Sequence, residues 1–115
     1  MLFDTKGYRL YLRPGHVDFR KGSHALALLV EQEMELSPFE KCMFLFCSRH
    51  RDKIKILLWE DNGFWLLQKN LQKGRFPWPR SMERARAISN DQLIMLLSGI
   101  DCWNLLPVLK YESMG

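Results

Sequence analysis

Lys53-Ile54-Lys55-Ile56-Leu57-Leu58-Trp59, Glu60-Asp61-Asn62-Gly63, Phe64-Trp65-Leu66-Leu67-Gln68-Lys69-Asn70-Leu71 reads as two apolar-rich runs separated by a turn. Asn-Gly between such runs is a strong hairpin signal, because both residues tolerate positive φ. Two registers are open. A two-residue loop pairs Trp59 with Leu66, and a three-residue loop with a glycine bulge pairs Trp59 with Trp65. A one-residue slip exchanges the faces of the strand. The three-residue loop is favoured because it sets Lys55 opposite Lys69, beside Leu57 and Leu67, on a face that is both apolar and positive. The two-residue loop stays open.

Upstream, Cys42-Met43-Phe44-Leu45-Phe46-Cys47 is apolar throughout and too short for a helix, which predicts a strand covered on both faces. Residues 8–12 alternate around Arg9 and stop at Pro14-Gly15, as a first strand should. Between these strands Phe19, Leu26, Leu29 and Val30 recur near the helical repeat, with Asp18 or Ser23 as N-cap and Ser37-Pro38 as terminator. Downstream, residues 72–88 contain Gly74, Pro77 and Pro79 and read as a long loop. Ser89 then opens a capping box closed by Gln92. Leu93, Leu96, Leu97 and Ile100 share one face of the helix, and Gly99 is placed to end it.

The expected fold is therefore α+β: a small, mostly antiparallel sheet of about four strands with the two helices packed on one face. It occupies residues 1–105, and residues 106–115 form a tail without a pattern that demands burial. A chain of 115 residues, 47% hydrophobic and 26% charged, suits a single core. No apolar run approaches the ~18 residues of a membrane-spanning helix. Residues 1–7 lack the apolar stretch of a secretory signal, so a cytoplasmic location is expected. Cys42, Cys47 and Cys102 match no zinc module or disulfide framework and read as reduced apolar residues.

The net charge of +4 is unevenly spread. Residues 1–40 carry −1 and residues 87–115 carry −2, whereas residues 41–86 hold eleven basic against four acidic side chains, net +7. Arg49, Arg51, Lys53, Lys55, Lys69, Lys73, Arg75 and Arg80 lie there, interleaved with Trp59, Trp65, Phe76 and Trp78. Lys and Arg neutralise phosphates and aromatic faces stack on exposed bases, so these cations are candidates for nucleic-acid binding. Solvated strand edges would present the same residues.

Arg20 and Lys21 face the positive end of the first helix and form a candidate anion site, unless Asp18 caps the helix and pairs with one of them. Around the prolines of residues 74–80, Phe76 and Trp78 either project to a partner or fold back on the sheet edge. Asp18, Asp52, Glu60, Asp61 and Asp91 stand at turns and caps with local roles, not as a converging metal site. Cys47-x-x-His50 is half a zinc site, and no nucleophilic triad or phosphate-cradling glycine loop occurs. A non-enzymatic protein with no cofactor and no metal is expected.

The order Asp18-Phe19-Arg20-Lys21-Gly22, Pro38-Phe39, Phe44-Leu45-Phe46, Arg51-Asp52-Lys53-Ile54-Lys55-Ile56-Leu57, Trp59-Glu60-Asp61-Asn62-Gly63-Phe64, Leu71-x-x-Gly74-Arg75-Phe76-x-Trp78-Pro79 and Gln92-Leu93-x-x-Leu96-Leu97-x-Gly99-Ile100-Asp101 resembles one known family. This is the small accessory protein encoded by the second reading frame of IS-66-family bacterial insertion sequences. Asn70, Cys47 and Ser48 stand where that pattern is more basic or polar. The resemblance implies a role in DNA transposition beside a separate, larger transposase, which would do the cutting and joining. Two functions are carried forward: DNA contact through the eight cations, or docking on the transposase through Trp59, Trp65, Phe76 and Trp78 without DNA. No membrane partner is expected.

Overall fold

The computed structural model describes residues 4–103. In chain order the elements are β1 (Arg9–Leu12), α1 (Ser23–Gln32), β2 (Cys42–Cys47), β3 (Lys53–Glu60), β4 (Gly63–Asn70), β5 (Arg86–Ile88) and α2 (Asn90–Leu97). The strands form one sheet in the order β4-β3-β2-β1-β5. β1 and β2 are parallel, and the crossover between them carries α1. The remaining pairs are antiparallel.

β2 is the centre, and all six of its residues are buried. Side chains alternate across a strand. Cys42, Phe44 and Phe46 therefore meet Leu26, Ala27, Leu29 and Val30 of α1, whereas Met43, Leu45 and Cys47 join the cluster that contains Leu93, Leu96 and Leu97 of α2. The two helices lie on opposite faces, which corrects the expectation that both pack on one. The physical reason is in β2 and β3: Met43, Leu45, Ile54 and Ile56 form a second apolar face, and each such side chain gains ~1.5–3 kcal/mol by burial. Phe76 and Trp78 complete the cover on the α2 side.

The sheet has five strands among the described residues, not four. The addition is β5, which pairs Leu10 with Ile88 and Leu12 with Arg86 inside the stretch read as a loop. Three residues are too few to display an alternation in sequence.

The hairpin adopts neither expected register. Trp59 pairs with Phe64 and Glu60 with Gly63, so the loop is Asp61-Asn62. Asp61 takes the left-handed conformation at φ 54°, and Gly63 is absorbed into β4. Lys69 consequently lies opposite Ile54, and Lys55 opposite Gln68, which sends the two lysines to different faces.

Gly22 is the N-cap of α1, with no side-chain cap bond, so neither Asp18 nor Ser23 fills that role. For α2 the expected capping box is present in both directions between Ser89 and Gln92. Gly99 ends the helix at φ 80°, with its N–H donating to Leu96 and the Ile100 N–H to Met95. Ile100, expected on the buried face, is 53% exposed. The tail at residues 106–115, and with it the domain limit at residue 105, lies outside the described residues.

Candidate nucleic-acid interface

Three chain segments meet beyond the end of β2. In the turn at residues 48–52, the Ser48 hydroxyl accepts from the Lys53 N–H and donates to the Asp52 carboxylate at 3.0 Å. Within it Arg51 has φ 60°. For a residue with a Cβ, that left-handed conformation costs ~1–2 kcal/mol. The turn is tied to the following loop by two backbone bonds, from Leu71 N–H to Asp52 at 2.7 Å and from Phe76 N–H to Arg51 at 2.6 Å.

Phe76 is fully buried and Trp78 5% exposed, and the Trp78 indole N–H donates to the Arg13 carbonyl at 2.9 Å. The third segment follows β1. Gly15, at φ 75°, donates to the Pro79 carbonyl, and Val17 donates to Cys47.

Together these segments enclose a cleft of about 430 Å³ lined by Gly15, His16, Arg49, Arg51, Trp78 and Arg80. Among the described residues no carboxylate lines it. The salt bridges among the described residues join Arg9 to Glu40, Arg13 to Glu33, Arg20 to Asp18, Arg84 to Glu35 and Arg86 to Glu83, and leave Arg49, Arg51 and Arg80 out. Three uncompensated guanidinium groups around one recess favour an anion, and their planar forks suit phosphate oxygens.

The eight cations singled out in sequence are thus not equivalent. Lys55 is 8% exposed; its ammonium donates to the Phe19 and Lys21 carbonyls at 2.7 and 2.9 Å and sits 4.7 Å from the centre of the Phe19 ring. Burial lowers its pKa. Lys69 donates to the Leu97 carbonyl at 2.9 Å, at the C-terminus of α2 where a cation is favoured. Lys53, Lys73 and Arg75 are exposed and do not line the cleft. His16 and Gly15 line it without having been singled out. Their cleft neighbours are more than thirty residues away in the chain, so no local pattern marks them.

A family model for the IS66 Orf2 like protein matches residues 8–106, a span that contains every residue of the cleft. The chain belongs to the IS66 Orf2-like family. That is a family of transposition-associated accessory proteins. Curated relatives include uncharacterized protein y4hO of Sinorhizobium fredii (strain NBRC 101917 / NGR234), 39% identical over 101 residues that cover 88% of each chain. Uncharacterized protein y4jC of the same strain is 28% identical over 101 residues, 88% of this chain and 86% of its own. No solved structure gives a significant match.

In this IS66 Orf2-like chain the other candidates fall apart as groups. Arg20 is bound by Asp18 through its side chain at 2.7 Å and its backbone N–H at 2.9 Å. The same contacts hold the Asp18 carboxyl well below the usual carboxylate range. The Lys21 carbonyl serves Lys55. Among the four aromatics, Phe76 and Trp78 are core residues, which corrects their reading as docking residues. Trp65, 57% exposed, donates to Glu60 and lies opposite Leu58, whereas Trp59 lies on the other face with Phe64. Trp59, Phe64 and the unanticipated Phe39 form a ring cluster with centroids 5.0–5.7 Å apart.

All three cysteines are buried and unpaired, and burial pushes the Cys47 thiol up to about 12, away from thiolate chemistry. No group of three or more His, Cys, Asp or Glu residues that could hold a metal occurs among the described residues. No helix among them is long and apolar enough to cross a membrane.

Proposed function

We propose that this protein is a non-enzymatic accessory factor in transposition of a bacterial insertion sequence, acting beside the transposase of the same element and contacting DNA phosphates through the Arg49-Arg51-Arg80 cleft. The observation that carries this is the convergence of three arginines on one recess where, among the described residues, none of them is in a salt bridge and no carboxylate lines the wall. Lys53, Lys73 and Arg75, exposed and outside the cleft lining, add to the positive field of the molecule. Lys55 and Lys69 serve the fold and drop out of the interface. Arg20 and Lys21 form no part of it.

Fluorescence anisotropy of labelled DNA over a range of salt concentrations tests the proposal. Each neutralised phosphate steepens the dependence of log affinity on log salt by ~0.9 on duplex and ~0.7 on a single strand. Replacing all three cleft arginines should flatten that slope by about 2 to 3. An unchanged slope overturns the proposal.

The exposed aromatic rings favour a second reading, docking on the transposase. Phe39 is 54% exposed and stacks edge-on against Trp59 at 5.1 Å. Aromatic clusters of this kind are common protein hot spots. A pull-down of the element's own transposase that is lost with Trp59→Ala, in a protein that binds no DNA, would replace the first reading by the second.

A further inference from the structure

We infer that the cleft takes the phosphate backbone of single-stranded DNA and not the face of a duplex. This rests on the nucleic-acid reading above and narrows it. Duplex recognition usually sends a helix or a two-stranded ribbon into the major groove, ~12 Å wide, with basic side chains gripping the flanking phosphates. Neither helix is equipped for that. α1 reads SHALALLVEQ and α2 reads NDQLIMLL, so neither contains a lysine or arginine.

The β3–β4 ribbon is not equipped either. Lys55 and the exposed Lys69 point to opposite faces and each donates to backbone carbonyls, which leaves Lys53, at one end of β3, as the ribbon's cation without such a bond. Three arginines in no salt bridge among the described residues instead line a recess. A cleft of about 430 Å³ is on the scale of a nucleotide-sized ligand. A single strand is thin enough to lay a sugar-phosphate segment between Arg49, Arg51 and Arg80.

Arg51 is held in a fixed position. It holds a guanidinium at the cleft from a left-handed backbone position that glycine would occupy more cheaply. The same conformation occurs at Glu35 and Asp61, so what it does at Arg51 is to set the direction of the chain in the turn. Here the Phe76 N–H bond to the Arg51 carbonyl does the holding. The indole of Trp78 is too buried, at 5% exposure, to stack on a base. Contacts are therefore to phosphate, and base preference is weak.

The test uses the full chain and four labelled probes of one sequence: a linear single strand of ~20 nucleotides with and without a 5′-phosphate, the same strand circularised, and the blunt duplex. The expected result is at least about tenfold tighter binding of the linear and circular single strands than of duplex, with the 5′-phosphate making no difference. Circular DNA has no end, so tight binding of the circle assigns an internal diester. Binding only of the 5′-phosphorylated strand moves the site to a terminal monoester and overturns the internal-backbone assignment.

Arg49→Ala/Arg80→Ala should erase the preference, and Arg51→Gly, which suits the positive φ, should do the same in a protein that melts normally. Equal or tighter duplex binding that is still lost in these variants overturns the single-strand inference and leaves the phosphate reading intact. No binding to any probe overturns both.

Discussion

Arg51 and Lys55 stand four residues apart in one charged run, yet the fold uses them in opposite ways. The Arg51 side chain opens onto the cleft in no salt bridge among the described residues, while the Lys55 ammonium is enclosed by two carbonyls and a phenyl ring. Charge density along a chain reports the number of cations, not their availability. A buried ammonium that satisfies backbone carbonyls contributes to folding and little to an external field, whereas a half-exposed guanidinium without a counter-charge does the reverse.

The sharpest attempt to break this contrast targets the floor beneath the arginines. Phe76→Ala removes a fully buried ring, and a loss of ~3–5 kcal/mol in urea denaturation is expected. Trp65→Ala, at a largely exposed ring, should stay within about 1 kcal/mol. Comparable losses at both positions would mean that Phe76 is not core.

Next comes Lys55→Ala, which strips the Phe19 and Lys21 carbonyls of their charged donor. The expected cost is ~2–3 kcal/mol of stability, with DNA affinity per folded molecule unchanged. A folded Lys55→Ala protein with sharply weaker DNA binding would break the distinction between the two cations.

Arg51→Gly should show the converse: DNA binding weakened, with thermal unfolding unchanged or stability raised by up to ~1 kcal/mol as the left-handed strain is relieved. The smallest effect belongs to Asp18. Its folded pKa is depressed, first by the Arg20 side-chain bond, below the ordinary value of 3.8. Its stabilising contribution is therefore present above 3.8 and lost as pH falls further toward the folded value. Asp18→Asn should flatten the low end of a stability-against-pH curve and leave neutral-pH binding untouched.

Elements with a strong local signal were legible. All-apolar β2 and the capping box and terminal Gly99 of α2 announce themselves within a few residues. The β2 pattern also implied cover on both faces, a requirement at odds with placing both helices on one side. The hairpin turn was visible, but its register was not. Asp61 and Asn62 both tolerate unusual backbone conformations, and the choice that Asp61 takes φ 54° moves every pairing partner along β4.

By itself the sequence determined which segments are strands and helices in the main, where the positive charge is concentrated, and to which family the chain is related, because those properties reside in neighbouring residues. Only the tertiary structure decided which faces the helices cover, that residues 86–88 complete the sheet, and that Arg49, Arg51 and Arg80 share a recess with His16. These outcomes depend on contacts between distant parts of the chain. The Trp78 indole bond to Arg13 spans 65 residues and the Lys55 bond to Phe19 spans 36. Cooperative burial selects such contacts, and no single stretch of sequence contains both partners.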